Sequence, residues 1–169
     1  MSEKISLVDI DKILPKIAEK LFDIPDISKL LKFDTSDALL KDISQKEIEE
    51  VFNQDDGNIN CRIFYRPFND KTMSEKRAEI RMYFPSINPL NNNILADIVV
   101  GFDIAVHNDM WKLDEDLMRP VKILKLLTMN LNGLDFGGGY NLVLQDKCQL
   151  AIFNDNFTGY QFRMRTKSR

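Results

Sequence analysis

The sequence predicts an α+β fold: an antiparallel β-sheet packed against one amphipathic helix and preceded by an N-terminal helical segment. Three observations predict it. Apolar residues recur at helical spacing through the first fifty residues, the period switches to two after the turn cluster at 53–58, and a single amphipathic helix interrupts the strands at 120–132. The expected organisation is a helical segment over 1–59 and a sheet with its crossing helix over 60–169, together one compact unit.

Ile10, Ile13, Leu14, Ile17 and Leu21 follow helical spacing, with Ser6 and Asp9 as a weak capping box. Pro15 falls inside that run and must kink the helix or mark its first turn, because proline lacks the donor and clashes one turn back. Ile24-Pro25-Asp26 ends the element, and short helical pieces follow through Leu30-Leu31 and Ala38-Leu39-Leu40. Ser44-Gln45-Lys46-Glu47 is a capping box that opens a helix through Ile48, Val51 and Phe52.

Beyond Gly57 the strands begin. Cys61, Ile63 and Tyr65 alternate with Arg62, Phe64 and Arg66, and residues 67–74 read as a polar loop. Ala78, Ile80, Met82 and Phe84 alternate with Arg77, Glu79, Arg81 and Tyr83, which predicts one buried and one wet face. Residues 85–93, with Pro85, Pro89 and four Asn, read as a loop. Ile98, Val100, Phe102, Ile104 and Val106 then share one face of a long strand, with Asp97, Val99, Gly101, Asp103, Ala105 and His107 on the other. The crossing helix starts at Pro120, carries the stripe Leu117, Val121, Leu124, Thr128 and Leu131, and stops before Gly133. After Gly137-Gly138-Gly139, read as a hinge or a close-packed backbone, Tyr140, Leu142 and Leu144 predict a strand, Asp146-Lys147 a tight turn, and Cys148, Leu150 and Ile152 the returning strand. The last strand sets Tyr160, Phe162, Met164 and Thr166 against Gln161, Arg163, Arg165 and Lys167.

Composition excludes several chemistries. Two cysteines, Cys61 and Cys148, are too few for a disulfide scaffold or a four-thiolate zinc site, and both fall on the apolar phase of predicted strands. His107 is the sole histidine, so a multi-histidine metal site is out of reach. It is read as a surface histidine before a turn rather than as a proton shuttle for Asp97 or Asp103. Glu79, Asp97 and Asp103 are read as partners of Arg62, Arg77 and Arg81 across a wet sheet face, not as a catalytic carboxylate cluster. No Gly-x-Ser-x-Gly elbow occurs, and the triple glycine lacks the Gly-Lys-Ser/Thr of a phosphate loop. No cofactor and no catalytic or metal-binding residue is expected, and the chain is not expected to be an enzyme.

The net charge of −3 hides an asymmetry. Residues 1–59 carry 14 acidic residues against 8 lysines, while 60–169 carry 15 basic against 12 acidic. Arg163, Arg165 and Lys167 alternate on one strand face, with Tyr160 and Phe162 on the other, a phasing that argues against single-strand nucleic-acid stacking. Such halves can attract one another between copies. Arg62, Arg66, Arg77 and Arg81 suit bidentate pairing with carboxylates, offered by the acidic helices at 42–56 within one chain or between copies. No stretch reaches the roughly 20 apolar residues that span a bilayer, and the first residues lack the pattern of a secretory signal. Folding in a reducing cytoplasm is the expectation.

This element order resembles the tail terminator family of long-tailed bacteriophages, also called tail-completion or neck proteins. The residues that carry the resemblance are the strand 97–107, Arg119-Pro120 with its helix to Gly133, the segment Phe153-Asn154-Asp155-Asn156-Phe157-Thr158-Gly159-Tyr160, and the closing strand to Thr166. The helical first 59 residues exceed the single short helix of that family. The resemblance implies a structural virion protein of the neck, assembled in the host bacterial cytoplasm. It would form a ring of six copies that caps the tail tube, stops its polymerisation and joins it to the head connector or stopper, with the sheath as a further neighbour and DNA passing through a non-adhesive lumen. Arg66, Asn69, Asp70 and Lys71, then Asn91, Asn92 and Asn93, then Arg163, Arg165 and Lys167 are the candidate interface residues, the first two groups on polar loops. The competing reading is a small α+β enzyme or ligand-binding domain with a pocket between sheet and helix; a third is an adaptor that binds through the N-terminal helices.

Overall fold

Six strands and four α-helices build the fold in the computed structural model, which describes residues 7–89, 96–136, 140–145 and 147–168. Asn91, Asn92, Asn93, the triple glycine, Ser6 and Asp146 lie outside the described residues, as does the side chain of Lys167. A 3-10 turn, Leu7–Lys12, leads into α1, Ile13–Phe22. Pro15 stands in the first turn of α1, where its missing N–H is not needed. Pro25 opens α2, Pro25–Lys32, and the expected capping box is present at Ser44 and Glu47 ahead of α3, Gln45–Phe52. Ser44 Oγ accepts from the Glu47 backbone, and the Glu47 carboxylate accepts from the Ser44 N–H at 2.9 Å.

The strands are β1, Ile63–Phe64; β2, Ala78–Pro89; β3, Ala96–His107; β4, Tyr140–Leu144; β5, Gln149–Ile152; and β6, Phe157–Ser168. Their order is β1-β2-β3-β6-β4, with β5 also on β6. Three strand expectations need correction. The run at 61–65 keeps only two paired residues, and β1 lies parallel to β2. Residues 85–89 are strand rather than loop: β2 continues past a bulge between Tyr83 and Ser86, and Pro85 sits in that irregularity, where no ladder donor is required. The third is the hairpin expected between the strands at 140–144 and 148–152. β4 and β5 do not pair with one another; both are antiparallel to β6, with Leu144 opposite Met164 and Gln149 opposite Gln161, so they follow one another along a single edge.

α4, Arg119–Leu131, crosses the sheet as expected, with Pro120 in its first turn and Gly133 beyond its end at φ 87°. Its buried line is Ile123, Leu127 and Leu131; Leu131 belongs to the predicted stripe and Leu124 packs at its margin, whereas Ile123 and Leu127 stand one position before the residues expected, and Leu117 is exposed. The sheet is covered by more than this helix. Ile13, Leu14, Ile17 and Leu21 of α1 and Ile27, Leu30 and Leu31 of α2 join Ile80, Met82, Val100, Phe102, Ile104, Leu142, Phe162 and Met164 in one apolar core. Phe102 and Phe162 stack at 4.7 Å on neighbouring strands, at the centre of that layer.

The Arg119 guanidinium joins these pieces. It is wholly buried at the start of α4. Nε donates to Met110 O (2.9 Å), Nη1 to Leu30 O (2.6 Å) and Phe33 O (2.7 Å), and Nη2 to Thr35 O (2.7 Å). Burial pushes its pKa down to about 10, so it remains charged at neutral pH. Its positive charge meets the C-terminal end of α2, where orphan carbonyls collect. Arg119→Met leaves these carbonyls buried without donors and should cost about 3–5 kcal/mol in urea denaturation, with Arg119→Lys recovering only part of the loss because an ammonium lacks the planar fork. Val100→Asp, at the centre of the same core, should fail to fold, judged by loss of soluble protein with a cooperative melt.

Candidate functional surface

The sheet face turned away from the helices holds most of the candidate residues. It is not the wet face that alternation predicts. Glu79, Arg81, Asp103, Ala105 and His107 are buried there, beneath the segment 64–76 and the turn at 153–157, and Val99 is buried further along. Phe68 lies 5.0 Å from Phe153 and 5.6 Å from Phe157, and Met73 and Ala105 complete a small second core. The loop at 67–76 is therefore pinned to the sheet. Asp70 Oδ1 accepts from Thr72 N and Met73 N, both at 3.0 Å, and these bonds with the Thr72 hydroxyl hold its carboxyl below the usual range. Asn154 Nδ2 donates to the carbonyls of Asp70 (3.0 Å) and Met73 (3.2 Å).

A charge network lies under that loop. Glu79 accepts from Arg81 Nε at 2.7 Å and stands 3.0 Å from Arg77 Nη2. The Arg81 guanidinium lies 4.2 Å from the ring centre of Phe64 and 5.3 Å from that of Phe68, so aromatic faces flank a charge that water does not reach. Arg66 and Arg77 also sit over Phe64. Arg62 turns back on its own segment, donating to the carbonyls of Ile59 and Cys61. Within the chain, pairing of these arginines with the helices at 42–56 does not occur among the described contacts. Arg77 and Arg81 pair instead with Glu75 and Glu79 on their own segment, while Lys32 takes Glu47 and Glu50.

Beside it, Asp103 accepts three hydrogen bonds, from Tyr83 Oη (3.0 Å), Gln161 Nε2 (2.8 Å) and Phe68 N (3.0 Å). The Tyr83 ring lies across Gly101, where a Cβ would come within 2.8 Å of Cε2, so any larger residue there displaces the ring. Burial, and then the charge and hydrogen bond of Asp103, push the Tyr83 phenol up to about 12. His107 is buried rather than at the surface; its Nδ1 accepts from Asp109 N at 3.2 Å and its ring meets Phe157 edge-on.

Further along this face the surface opens. Asp97 pairs bidentately with Arg165, through Nε at 2.8 Å and through Nη2. Arg163 is exposed beside a groove of about 340 Å³ lined also by Ser86, Asn88, Val99 and Gln145. Arg66, Asn69, Asp70 and Lys71 are exposed at the opposite end of the sheet, near β1 and the pinned loop. The candidate interface residues thus fall into two separate groups. Leu150 and Ile152, expected to point inward, are 62% and 78% exposed on the β5 edge.

Sequence reasoning missed Phe64, Phe68, Tyr83 and Gln161 as partners of the charges. The available signal was compositional: Gly101 and Ala105 are too small for a solvated strand face, and Phe68 and Met73 are apolar within a loop. Because Tyr83 stays protonated while an unfolded tyrosine ionises at its ordinary value of 10.0, its contribution to stability is full below about pH 10 and is lost as pH rises toward 12. Ultraviolet titration of the four tyrosines should show one late ionisation near pH 12 that Tyr83→Phe removes.

Comparison with known proteins adds a family. No curated protein and no solved structure matches the chain. A family model described as YomW matches residues 25–166, from the first residue of α2 to near the end of β6. That name is of a phage-derived, Bacillus type and associates the chain with phage-related proteins. With the helical layer from α2 onward and all of the sheet but the last two residues of β6 inside the matched span, the chain belongs to the YomW family.

Proposed function

We propose that this phage-related chain is a structural protein of the virion neck, which forms a ring on the end of the tail tube and presents a surface to the head connector. One observation carries the reading: an unguarded edge. β5 offers Gln149, Leu150, Ala151 and Ile152, with neither charge nor proline, and two large apolar side chains stand in solvent. Natural sheets blunt such edges with lysine, proline or bulges unless another chain pairs there. The far side of the sheet is blunted in this way, by Pro85, Pro89 and the bulge in β2.

Two further features support a structural role. The groups with chemical potential each make a bond that holds the fold: Asp103 to the pinned loop, Glu79 to two arginines, His107 to a backbone N–H. The phage association and the tail-terminator-like element order point to virion assembly, where one chain packs on copies of itself. A ring joint is heterologous, so two dissimilar patches meet at every contact. In this reading, the β5 edge supplies one patch, and the partners are a second copy, the tube protein and the connector. The protein performs no reaction and lets DNA pass.

Light scattering after size exclusion, alone and with tube protein added, tests it. The expected species is near six times 19.6 kDa, alone or once tube is present. Leu150→Lys with Ile152→Lys should leave the circular dichroism and melt unchanged, since both side chains are exposed, and should abolish the assembly. Reversing Arg163 and Arg165 to Glu should slow association most at low salt. A monomer that ignores tube protein at micromolar concentration, or assembly unaffected by the double lysine variant, overturns the proposal.

A further inference from the structure

We infer that, before assembly, the β5 edge is closed by β5 of a second copy, in an antiparallel two-fold dimer centred on Ala151. The inference rests on the proposed reading only in taking β5 as an association edge, and it names what covers that edge off the tail. Hydrogen-bond phase carries the argument. Antiparallel pairing alternates residues whose N–H and C=O face the neighbouring strand with residues whose groups face away. Phe153 N donates to Phe157 O at 2.9 Å where β5 turns into β6, which fixes the phase. Gln149 and Ala151 then turn their main chain to β6, opposite Gln161 and Gly159, and Leu150 and Ile152 turn theirs outward. Upstream on the same edge the outward groups are already used. Gly133 N donates to Leu142 O (2.7 Å), Leu142 N to Leu134 O (2.9 Å), Phe136 N to Tyr140 O (3.0 Å) and Leu144 N to Asn132 Oδ1 (3.1 Å). The chain after α4 therefore covers β4. Among the described residues nothing does the same for Leu150 and Ile152.

The outward pattern is complementary to itself. A two-fold axis at Ala151 sets Leu150 opposite Ile152 of the second copy, and Ile152 opposite Leu150 of the second copy. Both become hydrogen-bonded pairs, so the N–H and C=O of Leu150 and of Ile152 all find partners. The two side chains share one face with Tyr160 and Thr158, their neighbours on β6, and are 62% and 78% exposed. The dimer joins them into cross-strand aliphatic pairs at the seam. Charge selects the same direction. Exposed Lys147 precedes β5 and exposed Asp155 follows it, with no charged residue between them. Antiparallel pairing brings the Lys147 end of one copy to the Asp155 end of the other, whereas parallel pairing sets like beside like. The opposite side of the sheet does not offer this fit: β1 has two residues, and β2 beyond it carries Pro85, Pro89 and the bulge. The contact uses the edge of both copies, so it closes at two and competes with the ring joint. A seam of four residues per copy is short, so the dimer is reversible. It guards an edge prone to aggregation until other chains take it.

Disulfide trapping tests the register. Ala151 faces itself across the axis in a non-hydrogen-bonded pair, with Cα atoms about 4.5 Å apart, inside the span a disulfide accepts. Ala151→Cys in a Cys148→Ser background, oxidised with glutathione disulfide, should give a covalent dimer. Leu150→Cys in the same background faces Ile152 of the second copy and should cross-link at least tenfold more slowly. Sedimentation of the unsubstituted chain should show a monomer–dimer equilibrium, which Leu150→Lys with Ile152→Lys shifts to monomer. The oxidised Ala151→Cys dimer should fail to assemble on tube protein until it is reduced. No covalent dimer from Ala151→Cys, or equal cross-linking of the two cysteine variants, overturns the two-fold register. An unsubstituted chain that stays monomeric up to about 0.5 mM overturns the dimer. Either result with ring assembly on tube protein intact leaves the ring standing. A dimer trapped at Ala151 in a chain that never assembles on tube protein supports this inference and removes the ring. Assembly of the oxidised dimer overturns the competition between the two contacts.

Discussion

A buried guanidinium at the head of α4 is the constraint on which the arrangement of this protein depends. Among the described residues Arg119 has no carboxylate partner within hydrogen-bond reach; it is held by four main-chain carbonyls from three places, the end of α2, the turn at Thr35 and the 3-10 turn at Met110. Each of those carbonyls ends a local structure that cannot satisfy it from within. The charge is affordable in the interior only because all the donors that face the carbonyls are used at once. One side chain thereby fixes the N-terminal helices relative to the helix that crosses the sheet, and the shared apolar core follows from that placement.

The sheet buries both faces by different means. On the helical side, long apolar side chains from β3 and β6 stack beneath α1, α2 and α4. On the outer side, a loop and a turn fold down over small residues, and the interior they create contains ions. Aromatic rings rather than water surround Arg81, and Asp103 serves as the anchor that draws Phe68, Tyr83 and Gln161 together from three segments. A polar network of this type helps fix register, because a one-residue slip of β2 would part Tyr83 from Asp103 and a slip of β6 would part Gln161 from it. It also stiffens this surface, while the β5 edge stays open.

The exposed apolar edge suits protein association, where backbone pairing and two aliphatic anchors act together. It lies on β5, at the opposite end of the strand order from β1 and the charged network beside it.

Local patterns in the sequence determined a good deal. The capping box at Ser44, Pro25 and Pro120 at helix starts, Gly133 past a helix end, and the five alternating residues of β3 are short-range signals, and each acts through sterics or a hydrogen bond within a few residues. The alternation of β6 was legible for the same reason. Tertiary structure decided the rest. Whether β4 and β5 form a hairpin or follow one another along β6 is a question of which partner wins, and the turn-like residues between them do not answer it. Alternation reveals that a strand has two faces, but not that segment 64–76 will cover the second one. The burial of Glu79, Asp103 and His107 depends on chain more than twenty residues away from the last two, and the exposure of Leu150 and Ile152 depends on how far the helical layer reaches. Periodicity records the local geometry of the backbone; which neighbour excludes water from it is a property of the whole chain.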